Sequence, residues 1–199
     1  MVRAVDIEGL LLKYIEENSL ERADALYLLY TVGREMAART MRARYGRSGA
    51  ISSVLDDLKT LGVDKLESLQ VTEDTGEHLG SVVTDSFKRI CLDLVVKSAR
   101  ERANTLSQTA REILYLISLT YPDHVDDSYL RRSYRLLFQK TITNHELKRA
   151  LDELIGCYVI QYVSGGSLRF PPYLEDLLAE LMDVMPEVEV KVSWPKKEM

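Results

Sequence analysis

Apolar side chains recur at intervals of three and four residues through most of this chain, and a two-residue alternation takes over in only a few short stretches. Val5, Ile7, Leu10, Leu11, Tyr14 and Ile15 predict a first helix that stops at Asn18-Ser19. A longer second helix starts at Ser19, whose hydroxyl suits an N-cap, and runs to Tyr45. Its first half, Ala25-Leu26-Tyr27-Leu28-Leu29-Tyr30, is apolar almost all round and so belongs inside a domain or a subunit interface. Gly46 to Gly49 supplies the stop, and a third helix over 51–61 ends at Gly62. The period then changes: Leu66, Leu69 and Val71, and after a Glu73-Asp74-Thr75-Gly76-Glu77 turn Val82, Val83 and Phe87, predict a strand pair. Helical spacing returns over 88–105 with Ile90, Leu92, Leu94, Val95 and Ala99, and reads as a connector.

Three helices and a hairpin follow. The first runs from an N-cap at Ser107 to Tyr121, with Ile113, Leu114, Leu116, Ile117 and Leu119 facing a core and Pro122 closing it. The second spans 127–139 with Tyr129, Leu130, Tyr134, Leu137 and Phe138 inward. After the turn Thr141-Ile142-Thr143, a third helix capped by Thr143 or Asn144 buries Leu147, Ala150, Leu151, Leu154 and Ile155 and stops at Gly156. Strand patterns at 158–163 and 167–170 flank the turn Ser164-Gly165-Gly166-Ser167. Beyond Pro171-Pro172, residues 173–184 form an amphipathic pattern, and Glu187 to Trp194 alternates strictly, as an edge or tail strand does.

The sum is a mainly α chain with small β hairpins, an α+β arrangement. It divides into a mostly helical domain at 1–96 for dimerisation or sensing, a connector helix at 97–105, a helical module with a hairpin at 106–173, and a helix with a tail strand at 174–199.

Charge sharpens that division. The 199 residues carry a net charge of -5, which argues against a generally basic nucleic-acid coat protein. Residues 97–171 nevertheless hold 11 Lys and Arg against 8 Asp and Glu, whereas 1–96 hold 12 against 16 and 172–199 hold 3 against 7. The helical module with its hairpin is thus the only net basic stretch.

The step Leu147-Lys148-Arg149-Ala150-Leu151-Asp152-Glu153-Leu154-Ile155-Gly156, followed by the hairpin, resembles the winged helix-turn-helix superfamily of prokaryotic regulators. The resemblance covers about 65 residues and implies duplex DNA as partner, with the exposed face of the third helix in the major groove. On that geometry Lys148 and Arg149 reach bases, and His145 lies near a phosphate at the helix N-terminus. Arg131, Arg132 and Arg135 on the second helix and Lys140 at its end clamp flanking phosphates, and Arg169 on the wing reaches a minor groove. Each of these is equally readable as a solvated surface cation, and Glu146, Asp152 and Glu153 on the same helix oppose phosphate.

Between residues 26 and 95 the helix and strand order, with Gly33-Arg34-Glu35 and Asp85-Ser86-Phe87, faintly resembles the start of a small-molecule-binding domain of the vinyl reductase type. That resemblance implies no site residues.

Other chemistry is not indicated. His78, His124 and His145 fall in separate elements, and no Cys, His, Asp or Glu cluster has metal-ligand spacing. Gly46-Arg47-Ser48-Gly49 lacks the lysine of a phosphate loop, and no Ser or Cys has a nucleophile's setting, so neither catalysis, metal nor cofactor is expected. Cys91 and Cys157 sit in apolar surroundings as buried thiols. The arginines from Arg34 to Arg47 alternate with Glu35 and small residues, and read as a solvated face or an intersubunit ion-pair surface rather than a second phosphate patch. No apolar run spans a bilayer and no signal-peptide core follows Met1, which predicts a cytoplasmic protein without a membrane partner. The expected function is a dimeric DNA-binding transcriptional regulator. The alternative is a protein-docking module in which the winged helix is a scaffold and the apolar tail meets another protein.

Overall fold

Seven α-helices and one short antiparallel hairpin occupy the described residues, 4–62 and 79–177, of the computed structural model. The helices are α1 (Ala4–Glu16), α2 (Leu20–Tyr45), α3 (Gly49–Thr60), α4 (Leu79–Ala103), α5 (Gln108–Ser118), α6 (Asp127–Phe138) and α7 (Asn144–Gly156). Strands β1 (Gln161–Tyr162) and β2 (Leu168–Arg169) follow, and a 3-10 turn covers Pro172–Leu177. The chain is mainly α with a small β component, as its periodicity predicts. The expected strand at 66–71, the far end of the expected helix at 173–184 and the tail strand at 187–194 lie outside the described residues.

Helix α2 holds the structure together. Ala23 to Leu29 are buried without interruption, because α2 meets α1, α3 and α4 and also α7, β1 and the hairpin turn. A helix surrounded in this way has no polar face to spare, which accounts for the apolar run in its first half. Gly46 ends it in the left-handed conformation (φ 71°), its N–H donating to the Arg42 carbonyl at 2.9 Å. Ser19 stands at the N-cap position without a side-chain hydrogen bond to the helix.

The second expected strand is helix instead. Val82, Val83 and Phe87 belong to α4, in which Val83, Phe87, Cys91, Val95 and Ala99 recur every fourth residue and are all buried. The β-branched run Val82-Val83-Thr84 imitates a strand locally, but packing of this stripe against α1 and α2 decides the conformation. The expected connector at 97–105 is therefore the end of α4 and the turn after it.

Helices α5, α6 and α7 form where the apolar spacing places them, and each start is fixed by a side chain. Ser107 Oγ accepts from the Ala110 N–H, and Asp126 Oδ1 accepts from the Tyr129 N–H at 2.7 Å. Thr143 and Glu146 form a reciprocal capping box: the Glu146 N–H donates to Thr143 Oγ1 at 3.2 Å, and the Thr143 N–H to Glu146 Oε2 at 2.8 Å. Helix α7 packs on α5, and α5 on α6.

The hairpin is shorter than its sequence suggests. Only Gln161 pairs with Arg169 and Tyr162 with Leu168, and the Tyr158 and Val159 N–H groups instead donate to the Ile155 and Leu154 carbonyls at the end of α7. Val125, just before α6, adds a bridge through N–H and carbonyl bonds to Leu168 of 2.9 and 2.8 Å. No described helix is long and apolar enough to cross a membrane.

Candidate nucleic-acid interface

Residues on one face of a helix recur at three and four positions, so burial of Leu147, Ala150, Leu151, Leu154 and Ile155 turns the opposite side of α7 outward. His145, Lys148 and Arg149 are exposed there, with the half-buried Asp152 and Glu153 beside them. Lys148 makes no ion pair among the described residues, whereas Arg149 lies 3.4 Å from Glu153 one turn on, with 76% of its side chain still exposed. An exposed pair of this kind is weak and gives way to a stronger anion. Glu146, which the sequence sets against phosphate, is occupied at the helix start. The backbone N–H and hydroxyl of Thr143 hold its carboxylate below the usual range.

Beside this face runs a groove of about 670 Å³ between α2 and the α6–α7 pair. Arg39 and Arg42 of α2, Arg131 of α6 and Lys148 of α7 line it, against the carboxylates of Asp127 and Asp152. Asn144, Leu147 and Tyr162 complete the wall. The Arg39 guanidinium sits over the Tyr162 ring, its carbon 3.8 Å from the ring centroid, which holds it at the groove edge. Burial raises the pKa of Asp152, against the pull of Lys148 and Arg39. Arg39 and Arg42 are the residues that sequence reasoning assigned to a solvated or ion-paired face. Their spacing gives no sign of which neighbour α2 would present them to.

The remaining expected contacts scatter. Arg131 is partly engaged, donating from Nη1 to the Ile142 carbonyl at 2.9 Å and so bracing the turn between α6 and α7. Arg135 is exposed on α6, while the exposed Arg132 lines a separate hollow with Tyr121, Asp123, His124 and Asp126. Lys140 donates to the buried Glu112 at 2.9 Å, which ties the residue after α6 to α5. Arg169 is half-buried on β2, opposite the fully buried Gln161, and its Nε is enclosed without a hydrogen-bond partner. The hairpin turn itself lies against α2: a Cβ at Gly166 would come within 3.2 Å of Arg39 Nη1.

No family model, curated protein or solved structure matches this chain.

No group of three or more His, Cys, Asp or Glu among the described residues is arranged to hold a metal ion. Cys91 and Cys157 are free and buried, and burial pushes their thiols up to about 12 and about 11. The face of α7 and its neighbouring groove present cations on the open side of a capped helix, inside a chain of net negative charge.

Proposed function

We propose that this chain is a cytoplasmic DNA-binding transcriptional regulator in which α5–α7 and the hairpin have the element order of a winged helix-turn-helix, with α7 entering the major groove. The observation that supports it most is the open side of α7, where His145, Lys148 and Arg149 stand exposed on a helix that a capping box and an apolar seat hold rigid. Lys148 and Arg149 lie at the centre of that face and suit bases or the phosphates bordering them. His145, in the first turn, suits a phosphate. Arg135 and the free nitrogens of Arg131 add flanking charge. A homodimer would double these contacts on a symmetric site.

Fluorescence anisotropy on random duplex DNA at low and moderate salt tests this reading. Micromolar binding that weakens steeply with salt is expected. Changing Lys148 and Arg149 together to Ala is expected to weaken it several-fold. Absence of binding at low salt removes the reading, and a 22.7 kDa species by light scattering at all concentrations removes the dimer.

A second reading, a protein-docking scaffold, draws on two apolar side chains of the same module. Leu136 on α6 is 70% exposed and Leu119 after α5 is 56% exposed. It is favoured if duplex DNA is not bound and affinity capture yields a partner sensitive to Leu136→Asp.

A further inference from the structure

In a winged-helix reader the hairpin flanks the recognition helix and holds a strand of the duplex beside it. Here the hairpin is poorly placed for that task. Each strand is two residues long, its turn lies under the Arg39 guanidinium, and its one cation, Arg169, is drawn inward with an enclosed Nε. Helix α2 is broken at Gly33 (φ 77°, ψ 169°), and the cations that border α7 come from its second limb: Arg39 and Arg42, three residues apart.

We propose that this limb of α2 takes the place of the wing, and that the groove between α2 and α7 receives a backbone phosphodiester of the duplex strand lying beside α7. This rests on the DNA-binding reading and names the part of the protein that extends it. Arg42 is exposed, makes no ion pair or side-chain hydrogen bond among the described residues and faces the groove from one wall, with Lys148 on the other. Arg39 is held by its stack on Tyr162, so its guanidinium is already fixed and little freedom is lost on contact. Four cations outnumber the two carboxylates lining the groove, in a chain whose overall balance is negative. Such an excess attracts anions in general, and the place of the groove beside Lys148 of α7 singles out the backbone phosphate of a duplex strand that α7 would read. A phosphodiester contact is sequence-independent, so its loss lowers affinity for all duplexes alike and flattens the salt dependence.

The test compares wild type with Arg42→Ala and Arg42→Glu on one random duplex across a salt series, with Arg34→Ala as control. Arg34 is exposed on the same limb and does not line the groove. Arg42→Ala is expected to bind roughly threefold more weakly and to lower the slope of log K against log salt by about 1, with Arg42→Glu weaker still and Arg34→Ala unchanged. Thermal melts should match throughout, since Arg42 has no partner to lose. If wild type binds and the Lys148 and Arg149 variant is impaired while Arg42→Ala keeps wild-type affinity and slope, the α2 contact is wrong and the DNA reading stands. If wild type does not bind DNA, both fail. Competition by inorganic phosphate beyond that of chloride at equal ionic strength would also overturn the proposal, in favour of a free-anion site.

Discussion

The guanidinium of Arg44 and the carboxylate of Asp24, on the two limbs of α2 either side of its break at Gly33, meet at 2.5 Å with both side chains fully buried. From that point Arg44 Nε donates to the Ile155 carbonyl at 3.1 Å, and Nη2 reaches the Ile160 carbonyl and the Tyr173 hydroxyl at 3.4 Å each. One arginine therefore fastens α2 to the end of α7, to the start of the hairpin and to the segment after it. Burial opposes the Arg44 charge, but the Asp24 carboxylate outweighs it and holds the guanidinium above its ordinary value.

Removal of one partner leaves the other charged in a dry interior. Arg44→Met is expected to lose about 3–5 kcal/mol of unfolding free energy in chemical denaturation. The double change Asp24→Leu with Arg44→Met should recover most of it, because no charge stays buried. A single variant as stable as wild type would show that the pair does not hold these elements together.

Glu112 forms a second anchor, between α5, α6 and Lys140. Burial pushes its carboxyl up, but hydrogen bonds from the Tyr134 hydroxyl, Lys140 and Gln108 outweigh this and hold it below the usual glutamate value. A carboxylate depressed in the folded state stabilises the fold at pH above its unfolded value of about 4.3, and that contribution disappears as pH falls through the folded value. Glu112→Gln should therefore be less stable than wild type near neutral pH, by roughly 1–3 kcal/mol. The two melting curves should draw together as pH falls below the unfolded value and meet once it is below the folded one. A gap that stays constant with pH would rule out the charge as its source.

Neither cysteine should react while the chain is folded. Cys91 is fully buried and Cys157 is 4% exposed, and their raised thiol pKa values leave little thiolate near pH 8. Ellman's reagent is expected to label both rapidly only after denaturation. Immediate labelling of the native protein at either position would contradict the packing around it.

Helix spacing made most of the fold legible. The positions of α5, α6 and α7 follow from Ile113, Leu130, Leu147 and their repeats, and Ser107 and Thr143 mark starts that the structure uses. Val82-Val83-Thr84 misled because β-branched residues favour strands locally, whereas the four-residue stripe from Val83 to Ala99 buries only as a helix. In the candidate interface, the exposure of Lys148 and Arg149 was readable from the same spacing that buries Leu147 and Leu151. The inward turn of Arg169 and the capture of Lys140 by Glu112 were not, since both depend on partners distant in sequence. For the same reason Arg42 and Arg44, two residues apart, look alike in the sequence, yet one borders an open groove and the other is sealed inside.

Within α2, Gly33 takes φ 77° and ψ 169°, a combination that essentially only glycine adopts. The helix thus has an elbow, with Leu20 to Val32 embedded among apolar neighbours before it and Arg39, Arg42 and Arg44 carried after it. The two arms are not collinear, and the buried pair of Arg44 with Asp24 ties the second to the first. Gly33 is what lets one stretch of sequence return on itself, so that Arg44 closes on Asp24 while Arg42 reaches the edge of α7.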